Sequence, residues 1–224
     1  MATQDVHTGF ADYCEAIFEL REDDLDVIQA RIAERLDISR PAVSEMVRRM
    51  ANEGLVTVDG SIQLTPSGMV LAEQVVRRHR LAERFLTDVL GLNWAEAHHE
   101  AGRWEHVLSD KVELAMNRIL GGPTTCPHGN PIPGSAYTEP EVVTLTQVDI
   151  GATFTVTRIP EELEFAPGVL EFLEANQVKP GMVGHVTAAS PDGTVTLNIE
   201  GLHVGIGPFA ASRILVTLGA VALA

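Results

Sequence analysis

Two turn signals between residues 39 and 64 constrain this chain more than anything else in it. Ser39 stands directly before Arg40-Pro41. A serine there can cap free backbone amides, and a proline at an early helical position is already set for the helix. Ala42, Val43, Met46, Val47 and Met50 give that helix one apolar face, and Asn52-Glu53-Gly54 closes it. Next come Val56-Thr57-Val58, Asp59-Gly60 and Ser61-Ile62-Gln63-Leu64, the pattern of a tight hairpin with a primed turn. Upstream, Phe10, Tyr13, Cys14, Ile17, Phe18 and Leu20 form a helical stripe, and Ile28, Ile32, Ala33 and Leu36 repeat it. Asp37-Ile38-Ser39 is a short turn. Helix, helix, turn, helix, hairpin predicts a winged helix-turn-helix over residues 1–66.

Such a module implies nucleic acid, which the overall charge of −15 opposes, because phosphate affinity comes from Lys and Arg. The conflict is resolved locally. Arg40, Arg48 and Arg49 cluster in one short stretch with Glu45 as its only acid. Residues 141–224 hold only Arg158, Lys179 and Arg213 as bases and are a poor candidate for touching DNA. The excess acid has two readings: a solvated surface that aids solubility, or carboxylates available to hard cations.

The remaining chain changes character twice. Residues 67–122 are helical: Pro66-Ser67-Gly68 opens a long amphipathic helix, Gly91-Leu92-Asn93 breaks it, and one or two helices follow from Trp94 to Leu120. A segment this small cannot bury both faces of its helices, which predicts a homodimer interface. Residues 123–143, rich in Pro and Gly, read as linker. Residues 144–224 are rich in Val, Thr and Gly. Strands are expected at 153–157, 182–187 and 194–199, with a short helix at 169–175 and a small β-barrel as the result. The fold class is therefore mainly α with a small β domain. Two cysteines, Cys14 and Cys126, are too few for a disulfide framework or a four-cysteine zinc site. The longest mostly apolar run, Ile214 to Ala224, is too short to cross a bilayer, and the N-terminus lacks a signal-peptide pattern. A cytoplasmic protein with no membrane partner is expected.

The helical middle carries the chemistry. His79 and Glu83 are four apart on one helix face, and His98, Gly102, Glu105 and His106 share another. Imidazole and carboxylate sets of this kind bind divalent transition metals. A second acidic pair, Asp12 and Glu15, lies on the first helix, where helix N-terminal acid placement is the plainer reading. Cys14 falls on an apolar face and reads as core. His99 points away from the stripe, and His128, His185 and His203 lack ligand spacing. No phosphate loop, no His-Glu-x-x-His and no Gly-x-Ser-x-Gly elbow is present, and no enzymatic activity is expected.

Arg31-Ile32-Ala33-Glu34-Arg35-Leu36-Asp37, Arg78-His79-Arg80-Leu81-Ala82-Glu83-Arg84, Arg103-Trp104-Glu105-His106-Val107 with Ser109-Asp110, and Gly129-Asn130-Pro131-Ile132-Pro133-Gly134 together resemble the diphtheria toxin repressor family of metal-dependent regulators. The likeness is close over residues 8–135 and looser over 141–220, which it implies is an SH3-like domain. It implies a homodimeric repressor that binds double-stranded operator DNA when activated by Mn(II) or Fe(II), one to two ions per subunit. It also implies an ancillary site at His79, Glu83 and His98 completed by the third domain. The family's ligands there align with Ala166 and Val169, which cannot ligate through side chains and leave Glu164 or Glu171 as nearby substitutes. A primary site is implied at Glu105 and His106, position 102 and the first helix. Asp12 stands where iron sensors of the family carry Met and manganese sensors carry Asp, followed in the latter by a Glu such as Glu15. Gly102 leaves that site one protein ligand short. Oxygen in place of sulfur favours Mn(II).

One cation held by Asp12 and Glu15 together with Glu105 and His106 would then fix the spacing of two recognition helices. Ser39, Arg40, Pro41 and Ser44 begin the recognition helix, and Arg48 and Arg49 face phosphates. Glu45 stands where the family commonly has Gln, and a carboxylate there accepts from cytosine N4, so a changed operator preference is expected. Two other readings remain open: a metal-independent winged-helix regulator with a decayed site, and a mononuclear metal hydrolase.

Overall fold

The computed structural model describes residues 2–219, with the side chains of residues 9–219. Helices α1 (Ala2–Glu22), α2 (Gln29–Arg35) and α3 (Arg40–Asn52) precede a hairpin of β1 (Val56–Asp59) and β2 (Ser61–Leu64). Ser39 caps α3, its Oγ accepting from the Ala42 amide, and Gly60 takes the positive φ of 72° that the tight turn needs. Phe10, Ile17, Ile32, Val43, Met50, Val56 and Ile62 pack into one core, which joins the three helices and the wing into a single body.

Helix α4 (Pro66–Asp88) begins hard against that body. Thr65 caps it and donates to the Gly54 carbonyl at 2.6 Å. A Cβ on Gly68 would fall 2.1 Å from the Leu55 carbonyl oxygen, so only glycine allows this approach. Helix α5 (Trp94–Trp104) starts from a capping box between Asn93 and Glu96, and α6 (Asp110–Ile119) follows a short turn. Ala82, Leu86, Ala97, Ala101 and Met116 are the small core shared by these three helices. Val107, Val112, Leu114 and Ile119 stay exposed.

The C-terminal part is a six-stranded antiparallel sheet in the order β3 (Val143–Thr144), β8 (Leu215–Leu218), β4 (Thr153–Arg158), β5 (Val183–Ala189), β6 (Val195–Ile199) and β7 (Leu202–Ile206). Register shifts at Val156/Arg158 and Val186/Ala188 bend it. Short helices α7 (Glu161–Glu164), α8 (Val169–Ala175) and α9 (Pro208–Ala211) cover its core. Trp94 of α5 is buried in that same core, and its amide donates to Glu174 at 2.9 Å, so the sheet domain is docked on the helical domain.

The stretch expected to be a linker is structured over its first half. Cys126, Pro127, His128, Gly129 and Asn130 are all buried. Arg77, Arg80 and Arg84 line one face of α4 and donate to the carbonyls of Pro133, Pro131 and Thr125. Those bonds seat the loop, giving it a tertiary reason for order that its Pro/Gly-rich composition does not reveal.

Candidate metal centre

Helices α1, α4 and α5 converge around a cleft of about 500 Å3 lined by Asp12, Glu15, His79, Gly102, Glu105 and His106 among others. Asp12 and Glu15 sit one helical turn apart on α1. Glu105 closes α5 at its C-cap and His106 follows it. His106 Nε2 lies 2.8 Å from Asp12 Oδ1 and 3.1 Å from Glu105 Oε1. The first helix and the end of α5 thus meet through the residues read from the sequence. His79 joins this group through Nδ1, 2.5 Å from Glu105 Oε2. With Glu15 and Glu105 it forms a further set whose ligand atoms lie within 4.8 Å of one another.

The other face of His79 belongs to a second group. Its Nε2 is 3.3 Å from Glu83 Oε1 and 3.3 Å from His98 Nδ1, and His98 Nδ1 is 2.9 Å from Glu83 Oε1. Two residues outside the ligand set read from the sequence complete it. His128 Nδ1 stands 2.8 Å from Glu164 Oε2 and 3.6 Å from Glu83 Oε1, and Cys126 groups with Glu83 and His128 as a metal-capable set. His128, which lacks ligand spacing in the sequence, is fully buried among ligand types. The only trace of this in the sequence is Cys126-Pro127-His128, an alternate-residue pair in a loop, which helical periodicity cannot register. From the sheet domain Glu164, 3.1 Å from His98 Nδ1, enters the group, and Glu161 joins His98 and Glu164 in a further set. Glu171 is exposed, and neither Ala166 nor Val169 takes part. His99 is exposed at the rim of the cleft.

Electrostatics and geometry both suit cations. Burial alone would lower the His79 pKa, but Glu83 and Glu105 outweigh it and hold the ring well above its ordinary value. Burial likewise opposes the charge on His98, yet its bonds to Glu164 and Glu83 raise its pKa to about 10. Hydrogen bonds to Asp12 and Glu105 raise His106 to about 9. For Glu105, contacts with His106 and His79 overcome burial and lower it to about 2. Glu15 is pushed well above the carboxylate range by burial and then by the charge of Glu105. Among the described residues Glu15 Oε1, Glu83 Oε2 and His128 Nε2 are buried with no hydrogen-bond partner. Orphaned lone pairs that crowd together fit divalent cations better than they fit one another.

A pH dependence follows. At neutral pH the metal-free protein carries protons on His98 and His106, and a ligand must shed its proton. Metal affinity is expected to rise with pH, roughly tenfold per unit for each displaced proton between about pH 7 and 9. The same ion pairs stabilise the metal-free fold fully below the ordinary histidine value of 6.5, and that contribution drains as pH rises through about 9 to 10. Calorimetric Mn(II) titrations at several pH values check the first expectation, and thermal melts of metal-free protein the second.

In the winged helix, Ser39, Arg40, Pro41, Ser44, Glu45, Arg48 and Arg49 are all exposed. Among the described residues none of Arg40, Arg48 and Arg49 pairs with an acid, which leaves three cations and one carboxylate on a free helix face. Arg49 stacks over Phe10 at 5.5 Å.

A winged helix joined to a helical body by carboxylate–imidazole clusters is the architecture of a metal-dependent transcriptional repressor. Comparison with known proteins agrees. Residues 6–61 match the iron dependent repressor N-terminal DNA binding domain, and residues 65–134 match the iron dependent repressor metal binding and dimerisation domain. The chain is 41% identical over 203 residues to the iron-dependent repressor IdeR of Mycobacterium tuberculosis, covering 84% of this chain and 87% of the relative. It is 42% identical over 171 residues to the diphtheria toxin repressor of Corynebacterium diphtheriae, covering 74% and 71%. Among solved structures, a manganese-dependent transcriptional repressor in complex with manganese superposes with a TM-score of 0.84 at 34% identity, covering 93% of this chain and 99% of that one. The IdeR of T. acidophilum gives 0.75 at 28% identity, covering 93% and 97%. The chain belongs to the iron-dependent repressor family.

Proposed function

We propose that this chain is a manganese-responsive repressor that binds operator DNA as a homodimer in the cytoplasm. The observation that carries the reading is the contact between Asp12 of α1 and the Glu105-His106 pair at the end of α5. A cation bound there supplies positive charge to ligands drawn from two domains, and its oxygen and imidazole donors suit Mn(II) better than softer ions. Asp12 and Glu15 would hold it from the DNA-binding module, Glu105, His106 and His79 from the helical body. His79, Glu83, His98, Cys126, His128 and Glu164 would hold a second ion. Ligation from both sides restricts the hinge between α1 and α5 and so sets the separation of two recognition helices. The exposed apolar residues Val107, Val112, Leu114 and Ile119 supply the surface on which a second copy packs. No helix among the described residues is long and apolar enough to cross a membrane.

The test starts from duplexes selected out of random DNA by the protein with Mn(II). Affinity for that operator is then measured with Mn(II), with Fe(II) under anaerobic conditions, and with chelator. Mn(II) should tighten binding roughly tenfold or more, within the usual range for allosteric coupling. Binding that chelator leaves unchanged would instead support a metal-independent regulator.

Position 102 offers a second expectation. Gly102 lies one turn before Glu105 and His106, and a Cβ there meets nothing within 4 Å. Gly102→Glu should add a carboxylate ligand and raise Mn(II) affinity about tenfold, with a few tenths to about 1 kcal/mol gained from replacing a glycine in the last helical turn. Unchanged affinity in a calorimetric titration would show that this position does not face the ion.

A further inference from the structure

Glu164 leads in two directions. Its Oε2 faces His98 and His128 in the second cluster, while its Oε1 accepts from Asn130 Nδ2 at 2.6 Å. Asn130 is fully buried, and its Oδ1 accepts from Arg158 Nε at 2.5 Å. Arg158, the last residue of β4, reaches on with Nη2 to Asp23 Oδ1 at 2.7 Å. Asp23 follows α1 directly, and its other oxygen accepts from the Glu162 amide at 2.9 Å. An unbroken chain of hydrogen bonds thus runs from a metal-capable cluster to the end of the first helix of the DNA-binding module, through residues buried in both other parts of the protein.

Each end of this chain is fixed in place. The loop carrying Asn130 abuts β4 so closely that a Cβ on Gly129 would lie 2.2 Å from the Thr157 carbonyl oxygen, and Gly129 has a φ of 92°. At the far end, the turn after Asp23 leads into α2, and within it the Val27 carbonyl accepts from the amide of Ile62 in the wing. Asp23 therefore anchors the segment from which α2, α3 and the wing hang. The Asn130 amide is suited to its place because it accepts from a cation on one side and donates to a carboxylate on the other.

We propose that Asp23, Arg158 and Asn130 are positioning residues that couple occupancy of the Glu164 cluster to the setting of the DNA-binding module. The element with two states is the docking of the sheet domain against the end of α1. When Glu164 is drawn to a cation, Asn130 and Arg158 stay aligned and Asp23 is held. When Glu164 is free to turn, the docking loosens. The inference rests on the metal-dependent operator binding proposed above and adds the route by which the third domain takes part in it.

The experiment measures Mn(II) affinity of the full-length protein with and without saturating selected operator, and takes the ratio as the coupling factor. Arg158→Gln and Asp23→Asn, neither of which touches a proposed ligand, should each reduce that factor at least about fivefold, within the span usual for allosteric coupling. The double variant should reduce it no further, since both break one chain. Arg158→Lys, which keeps the charge at Asp23, should recover part of the loss. A residue with only a structural role would lower the melting temperature and leave the ratio alone. If Arg158→Gln fails to fold, Asp23→Asn carries the same comparison. Ratios within twofold of the parent in folded variants would overturn the coupling route and leave the repressor reading intact. A parent ratio of one would overturn both.

Discussion

Replacing His79 by alanine is expected to abolish the response to metal altogether, more completely than loss of any other single ligand. Among the described residues His79 is the one side chain shared by both clusters, with Nδ1 toward Glu105 and Nε2 toward Glu83 and His98. Its removal takes a donor from each and leaves Glu15, Glu83 and Glu105 facing one another with less positive charge between them. Loss of a hydrogen-bond partner to a metal ligand typically costs about 10- to 100-fold in metal affinity, so loss of a shared ligand should exceed roughly 100-fold. Operator affinity at saturating Mn(II) should fall to its value in chelator. Glu105→Gln, which retains shape and removes one charge from the first cluster only, should weaken Mn(II) binding and leave the second cluster able to bind. Two calorimetric titrations distinguish these outcomes. If His79→Ala retained one tight Mn(II) site, His79 would not be shared, and the two clusters would work independently.

The sequence made this arrangement legible wherever local periodicity carried it. Ser39, Pro41 and Gly60 announced the winged helix because capping, proline and positive-φ requirements are properties of a few adjacent residues. His79, Glu83, His98, Glu105 and His106 announced themselves because helical spacing puts ligands on one face before any tertiary contact exists. Nothing local marks Cys126 and His128. They reach Glu83 only because arginines on α4 hold the carbonyls of a loop rich in Pro and Gly, and such a loop reads as linker. The resemblance left Glu164 and Glu171 as candidates from the third domain, and no local pattern chose between them. Glu164 lies in a four-residue helix, too short for any periodicity to show, and its role comes from where β4 ends. Strands β3, β7 and β8 were also missed: β3 has two residues, Gly205 interrupts β7, and β8 is a run of only four residues.

Arg80 is where the cost of tying three parts together should be greatest. It is fully buried, bonds to both oxygens of Glu22 at 3.0 and 2.6 Å, and reaches Glu161 at 2.9 Å and the Pro131 carbonyl at 2.5 Å. One guanidinium thus holds α1, α7 and the ligand-bearing loop. A methionine of similar length would fill the space and strand Glu161, while Glu22 would keep Arg158 Nη2 at 3.1 Å as its remaining partner. Breaking a buried pair by removing one partner costs about 3–5 kcal/mol, because the remaining charge is left uncompensated. For a chain of this size that corresponds to a fall in melting temperature on the order of 10 °C. Much of the loss should return in the double variant Arg80→Met, Glu161→Gln, since the penalty comes from the stranded charge rather than from absence of the pair. The pH dependence carries a definite sign. Burial, followed by the charge of Glu164, already raises Glu161 well above the carboxylate range, and loss of Arg80 raises it further. The folded variant then binds a proton that the unfolded chain does not, so its stability falls as pH rises and recovers toward acid. Scanning calorimetry of metal-free Arg80→Met between about pH 5 and 8 should show the gap from the parent narrowing at the acid end. A gap that stayed constant would mean that Glu161 finds another partner, and that Arg80 joins the three parts without bearing much of their stability.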